Sequence, residues 1–378
     1  MESYDFIFAG AGCAGLSMVH YLLESSLKES RILLIDPAGT QVPDKTWCYW
    51  SEEPLPIHPK SSIHFWESLA LKSGSNSLPK SMGSLKYFHL NSHDFFNHLT
   101  GRFKSQSNIT VIQDEVIHLN PAQGYVTVST KEGKIFQATR VFDSRPPAST
   151  SDLTLKQIFV GWRVKTSTSK FDPSQVVLMD FASKDAHNFE FFYLLPFSET
   201  EALIEYTTYS RDLTPEPILR SKLERYLEQE MGNTTFEVTF RESGVIPMST
   251  TLKRKKIHHR IIPIGTAGGW TKASTGYTFQ NIQSNCQKLI NFLETGAEGQ
   301  FEVDRSKRFD FYDNILLNIA HRWPNQLQGL FFNLFETSSA ENVLRFLSEE
   351  TSFSEELRLL SKLRFPIFIQ SLLRYESH

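Results

Sequence analysis

The 378-residue chain is 40% hydrophobic, with a formal net charge of −3 and a pI near 6.5, enough apolar material for a large core divided into two or three subdomains. That charge balance argues against a nucleic-acid footprint, and the three cysteines, Cys13, Cys48 and Cys286, are too few and too dispersed for a disulfide framework or a zinc site. No run of about 18 apolar residues is present, so no segment is expected to span a membrane.

Residues 1–36 read as strand, glycine turn, helix and second strand. The apolar run 6–9 meets Gly10-Ala11-Gly12-Cys13-Ala14-Gly15, a helical pattern follows over 16–23, and the apolar run 32–35 stops at Asp36. Gly10 permits the sharp turn, Gly12 lets backbone N–H groups approach a pyrophosphate, and Gly15 lets helix and strand pack closely. The helix N-terminus turns its positive dipole end to the phosphates, with Ala14 in that first turn. Asp36 stands 21 residues beyond Gly15, the spacing of a carboxylate that binds a ribose diol. The competing reading is a glycine turn that binds nothing. A signal peptide is disfavoured because the apolar start lacks a basic n-region.

Farther along, residues 44–70 carry Pro54, Pro56 and Pro59 and read as loop-rich. A helix is expected over 93–105 after Asn91-Ser92, and strands over 109–117, 125–129 and 135–142, with a turn at 131–133 between the last two. Arg140-Val141-Phe142-Asp143-Ser144-Arg145 ends a strand where flavin-binding folds often place a second nucleotide contact; an ordinary strand end is the alternative. Strand patterns recur over 159–166, 175–181, 190–196 and 201–208, then a helix over 217–231 and a strand over 235–241. Glu205, in Leu203-Ile204-Glu205-Tyr206-Thr207, either faces the interior, where desolvation keeps it protonated as a general acid requires, or alternates out to solvent. Asp180, in Leu178-Met179-Asp180-Phe181, carries the same two readings.

Lys253-Arg254-Lys255-Lys256 with His258, His259 and Arg260 is either a solvated basic loop or a contact for anionic headgroups. The paired histidines lack partners at ligand spacing, and no metal site is expected. A short buried strand over 261–265 then runs into Ile264-Gly265-Thr266-Ala267-Gly268-Gly269, followed by Ser274-Thr275-Gly276-Tyr277 and a helix over 277–293. This second strand–glycine–helix junction is a second anion cradle, and two such turns favour FAD over NAD. From 301 onward the pattern is helical, interrupted at Pro324 and Pro366. Ten of the 30 phenylalanines lie there, as an aromatic core or as an apolar channel or lipid-facing surface.

The layout predicts an α/β fold in which a discontinuous Rossmann-like FAD-binding domain (1–60, 93–145 and 258–300) accepts an inserted antiparallel-sheet substrate domain (61–92 and 146–257), with a helical C-terminal region over 301–378. Two-domain flavoproteins of the hydroxylase type share that arrangement. No internal repeat is visible.

Most of these segments, in order, resemble the flavin-dependent lycopene cyclases of bacteria and plants. The resemblance runs from the N-terminal glycine turn through Lys45-Thr46-Trp47-Cys48-Tyr49-Trp50, Phe171-Asp172-Pro173, Leu178-Met179-Asp180-Phe181, Phe192-Tyr193-Leu194-Leu195-Pro196 and Leu203-Ile204-Glu205-Tyr206-Thr207 to the second glycine turn. It implies non-redox cyclisation of the ends of lycopene to β-ionone rings, with reduced FAD and with NADPH as its reductant. Glu205 becomes the expected catalytic acid, with Asp180 beside it. Gly10, Gly12, Ala14, Gly15, Asp36, Thr46, Asp143, Gly265, Thr266, Gly268, Gly269, Thr275 and Gly276 become the expected cofactor contacts. Because such a substrate resides in a bilayer, the resemblance also implies a cytoplasmic protein attached peripherally to the inner face of the cell membrane, through the C-terminal helices or the basic cluster. Two departures stand out. Many members carry a second acid where this chain has Tyr206, and His-Pro where it has Lys272-Ala273. The alternatives are a flavin monooxygenase or isoprenoid reductase of the same build, or a non-catalytic carotenoid- or flavin-binding protein.

Overall fold

A computed structural model describes residues 1–39, 44–146, 155–182, 188–251, 258–363 and 365–376. In chain order the first part runs β1 (Glu2–Ala9), α1 (Cys13–Leu23), β2 (Ile32–Asp36), β3 (Thr46–Ser51), β4 (His64–Trp66), β5 (Ser68–Ser73), β6 (Asn76–Ser81), β7 (Lys86–Asn91), α2 (Ser92–Phe103), β8 (Ile109–Gln113), β9 (Val116–Pro121), β10 (Val126–Thr130) and β11 (Ile135–Asp143). The second runs β12 (Leu155–Thr166), β13 (Gln175–Asp180), β14 (Phe189–Ser198), β15 (Glu201–Ser210), α3 (Glu216–Met231), β16 (Phe236–Met248), β17 (Ile261–Pro263) and α4 (Phe279–Glu294). Helices α5 (Lys307–Arg322), α6 (Pro324–Thr337), α7 (Ala340–Leu347), α8 (Phe353–Leu360) and α9 (Phe365–Leu373) follow. The basic cluster Lys253–Lys256 lies outside the described residues.

The expected α/β core forms. Strands β8, β2, β1, β11 and β17 pair in parallel, and β10 and β9 extend that sheet antiparallel from β11. The parallel strands are nearly continuous apolar runs because both faces are covered. Phe6, Phe8 and Leu34 pack with α1 and α4 on one face, while Ile7, Leu33 and Ile35 pack with Val126 and Val128 on the other.

A second sheet, ordered β16-β12-β15-β14-β13-β5-β6, is antiparallel apart from the β13–β5 pair. Its two faces have different cores, as the period-2 alternation of its strands demands. Val160, Trp162, Ile204 and Tyr206 meet Leu219, Leu223, Tyr226 and Leu227 of α3. Leu203, Tyr209, Phe189 and Phe191 meet Phe331 and Phe335 of α6. Most C-terminal phenylalanines thus enter a core, and Phe331 and Phe335 also line a cavity, so both readings of that region hold.

Three local expectations change. The stretch 44–70 contains β3, which pairs with β7, and β4, which also pairs with β7, across the expected boundary at residue 60. Its prolines sit between β3 and β4, where no ladder N–H is required. The strand expected over 109–117 divides at Asp114, whose carboxylate accepts the backbone N–H groups of Glu115 and Glu132. The strand expected over 235–241 continues to Met248 because it pairs with β12 along its length.

A buried ion cluster fastens the C-terminal helices to the second glycine segment. Lys272 Nζ lies 2.8 Å from Asp313 and 2.9 Å from Glu349, and Arg305 lies 2.6 Å from Asp313. Glu349 adopts a left-handed φ of 64°, unusual for a residue with a Cβ, and its carboxylate meets both cations. Asp313→Ala leaves Lys272 and Arg305 under-compensated in the interior. It is expected to cost about 3–5 kcal/mol, read as a lower unfolding midpoint.

Candidate active site

A cavity of about 690 Å³ opens between the α1 N-terminus and the second sheet. Gly12, Cys13 and Ala14 form one end together with Gly265, Thr266, Thr275 and Gly276. Glu205, Tyr193, Tyr209, Leu178, Met179, Phe331 and Phe335 form the other, and Thr46, Cys48, Tyr87 and Tyr277 lie along the side. The chain therefore brings both glycine turns and the candidate acid to one mostly apolar enclosure.

The glycine end fits a dinucleotide. Gly12 is the N-cap of α1 and no side chain caps the helix, leaving its first-turn N–H groups for an external acceptor. A Cβ at Gly12 would meet nothing within 4 Å, so the glycine preserves open space there. At Gly15 the constraint is internal, since a Cβ would lie 2.4 Å from the Gly10 carbonyl oxygen. Gly10 itself has φ +106°, which only glycine adopts freely. The buried hydroxyl of Thr275 has no partner among the described residues, as expected of a group aimed at a ligand.

The other expected contacts separate into two groups. Thr46, Gly265, Thr266 and Gly276 line the cavity, whereas Gly268 and Gly269 shape the turn behind it. At Gly268, for example, a Cβ would lie 2.7 Å from the Pro263 carbonyl oxygen. Asp36 sits at the end of β2 with Oδ2 accepting the Ala11 N–H at 2.8 Å, which ties it to the glycine turn; it does not itself line the cavity. The Asp143 carboxylate is buried and grips Arg145 through two hydrogen bonds, at 2.8 and 2.9 Å; it does not line the cavity itself, although Ser144 and Pro146 beside it do.

At the other end the alternation around Glu205 takes the inward of its two readings. Ile204 and Tyr206 face α3, and Glu205 points oppositely, into the cavity instead of into solvent. Burial, followed by the charge of Glu242, pushes its carboxyl well above the ordinary carboxylate range; the Thr207 hydroxyl, donating at 2.6 Å, and Lys45 oppose this. Burial likewise raises Glu242, against a 2.9 Å hydrogen bond from the Thr46 N–H. The Tyr193 hydroxyl donates to Tyr87 at 2.9 Å, and Tyr87 and Tyr277 hydroxyls meet at 3.3 Å. Burial raises all three phenols, and it pushes the cavity thiols of Cys13 and Cys48 up to about 12, which leaves neither thiol a ready nucleophile.

Asp180, expected beside Glu205, lies apart from it. It is buried on the α3 face of the sheet, where Tyr226 donates to its Oδ2 at 2.9 Å, so it does not join Glu205 in the cavity. Burial raises its carboxyl too, but that shift belongs to a packing contact. The Tyr206 departure falls on this same face, donating to Glu190, remote from the cavity. Lys272 is the buried cation of the ion cluster. Sequence reasoning missed Glu242, Tyr87 and Tyr193. Glu242 had a signal available, an acid within an alternating strand, but that strand was expected to end one residue earlier.

Solved structures share the fold at low identity. A geranylgeranyl bacteriochlorophyll reductase-like protein from Thermoplasma acidophilum superposes with a TM-score of 0.64 at 13% identity, covering 98% of this chain and 99% of its own. A halogenase in complex with FAD gives 0.55 at 12%, covering 92% and 82%. Lycopene beta-cyclase of Pantoea ananas is 26% identical over 95% of this chain and 94% of its own length. Lycopene beta-cyclase of a Paracoccus species is 27% identical over the same shares. The family model described as lycopene cyclase protein matches residues 5–374, so the cavity's glycine cradle and buried acid stand in a chain that belongs to the lycopene cyclase family.

Proposed function

We propose that this protein is a lycopene β-cyclase, an FAD-dependent isomerase that closes the acyclic ends of lycopene into β-ionone rings, giving γ-carotene and β-carotene in carotenoid biosynthesis. The observation that carries this reading is Glu205, a carboxyl group whose surroundings favour its protonated form, on the aromatic wall of the cavity that also contains the glycine cradle. The two lycopene beta-cyclase relatives support the substrate class. The cradle residues Gly12, Ala14, Gly265, Thr266, Thr275 and Gly276 would hold FAD, the uncapped α1 N-terminus favouring its phosphates, with Asp36 as a further candidate contact. Residues 1–60, 93–145 and 258–300 would serve the cofactor and the inserted sheet the substrate.

The chemistry follows from the acid. Glu205 donates its proton to C2 of the terminal C1=C2 double bond, leaving a tertiary cation at C1. The C5=C6 bond closes onto C1, and loss of the C6 proton restores a C5=C6 double bond, so the product is an isomer of the substrate. Tyr193, Tyr209, Phe191 and Phe331 present aromatic surface to the cation, at about 0.5–2 kcal/mol per well-placed ring, and exclude water that would trap it as an alcohol. The cradle residues would hold reduced FAD, with NADPH as its reductant, and the chemistry it would supply when bound is negative charge that stabilises a cation.

Expression in a lycopene-accumulating bacterial strain tests the reading by pigment chromatography. Accumulation of γ- or β-carotene is expected, and unchanged lycopene would overturn it. Consumption of NADPH in proportion to product would instead favour a reductase or monooxygenase.

No helix among the described residues is long and apolar enough to cross a membrane. We read the protein as attached to the inner membrane face through its C-terminal helices, where Ile369, Leu372, Leu373 and Tyr375 are exposed, Leu373 by 82%. Replacing Ile369, Leu372 and Leu373 together by Ser is expected to reduce co-sedimentation with lipid vesicles about tenfold or more while leaving the unfolding midpoint nearly unchanged.

A further inference from the structure

We propose that Glu242 is the proton partner of Glu205, a positioning carboxylate that faces it across Gly161 and connects it to solvent in an adjoining polar cleft. The proposal rests on the reading of Glu205 as the acid. Its basis is register. On β12, Gly161 pairs with Glu205 of β15 on one side and with Glu242 of β16 on the other, so the three residues form one row across the sheet. Residues directly opposite in a ladder project to the same face. A Cβ at Gly161 would lie 3.2 Å from Glu242 Cγ and 3.6 Å from Glu205 Cβ and Cγ, so both acids flank the space that the glycine leaves.

Glu242 has the features of a group with a task. It is 7% exposed, its Oε2 accepts the Thr46 N–H, and its buried Oε1 has no partner among the described residues. A buried acceptor left unpaired is costly, and it marks a place for a proton or a water. The two acids also belong to different spaces. Glu205 lines the apolar cavity, whereas Glu242 lines a separate cleft of about 410 Å³ with Asp44, Arg220 and Arg241, and Lys45 lines both.

The surrounding groups assign the charge. Burial raises Glu242 too, with Asp44 adding to the rise, while the Thr46 N–H and Lys45 favour its ion. The Glu242 charge adds to burial in favouring the acid on Glu205. The remaining titratable neighbours, Tyr87, Tyr193, Tyr277 and Cys48, are raised by burial and stay neutral. In each turnover Glu205 gives one proton to C2 and its carboxylate takes the one lost from C6, so protons balance and no electron moves; Glu242 exchanges the proton held by Glu205 with the cleft between turnovers.

The test compares purified wild type, Glu242→Gln and Lys45→Met. The readouts are the pH profile of cyclisation and infrared difference spectra of the protonated carboxyl band. Wild type loses activity as pH rises and Glu205 deprotonates. Removing the neighbouring charge in Glu242→Gln is expected to move that alkaline limb, and the loss of the infrared band, to lower pH by about one unit or more. Lys45→Met is expected to move both to higher pH, and it serves on its own if Glu242→Gln does not fold. Product formed by wild type in D₂O is expected to carry deuterium at C2, with incorporation reduced in Glu242→Gln. Unshifted limbs and bands overturn the proposal while leaving the acid role of Glu205 intact. Undiminished cyclisation by Glu205→Gln removes that role itself.

Discussion

Glu205→Gln is expected to lower ring formation about 10²–10⁴-fold, the range over which a positioned general acid contributes. Gln keeps the shape of the side chain and still accepts the Thr207 hydroxyl bond, but has no acidic proton to give. Because the protonated acid is already neutral, Gln adds no charge beside Glu242, and the fold is expected to be retained, as circular dichroism and flavin content would check. Chromatography of pigments from a lycopene-accumulating host reads the effect. Full β-carotene production would remove Glu205 from the mechanism, and loss of flavin along with activity would indicate collapse of the site instead.

Gly12→Val is expected to weaken flavin retention by about a hundredfold, a little under 3 kcal/mol, with little change in the unfolding midpoint of the flavin-free protein. The asymmetry follows from the geometry. The φ of −73° at this N-cap suits any residue, and a new Cβ meets no protein atom within 4 Å. Valine therefore fits the protein yet occupies the space reserved for phosphate. Gly15→Val would not make the same distinction, because its Cβ strikes the Gly10 carbonyl and would disturb the fold itself. Absorbance of the purified protein at flavin wavelengths measures the first outcome, and undiminished flavin would show that the cradle lies elsewhere.

The glycine turns were legible because their chemistry is local. A strand end, a turn and a helix start within six residues place Gly10, Gly12 and Gly15 without help from distant chain. The same locality identified α3, whose Leu219, Leu223 and Leu227 recur at helical spacing. The acids were harder. Glu205 and Asp180 look alike in sequence, each a carboxylate inside an apolar strand. They point to opposite faces of one sheet that is buried on both sides, Glu205 toward the cavity and Asp180 toward Tyr226. Alternation within a strand separates neighbours but does not say which face holds the cavity.

Sequence alone determined the α/β class; it also predicted a dinucleotide cradle and, through a resemblance to lycopene cyclases, pointed to Glu205. The tertiary structure decided which acids share a site. Register across three strands sets Glu242 opposite Glu205 with only Gly161 between, a pairing of residues 37 positions apart in the chain. It also gave the Asp143 carboxylate to Arg145 and set Asp180 on the opposite face of the sheet, against Tyr226. The physical reason is range. Turn and helix signals act over a few residues, whereas the protonation state of a carboxyl group depends on whatever charge and burial the whole fold brings beside it.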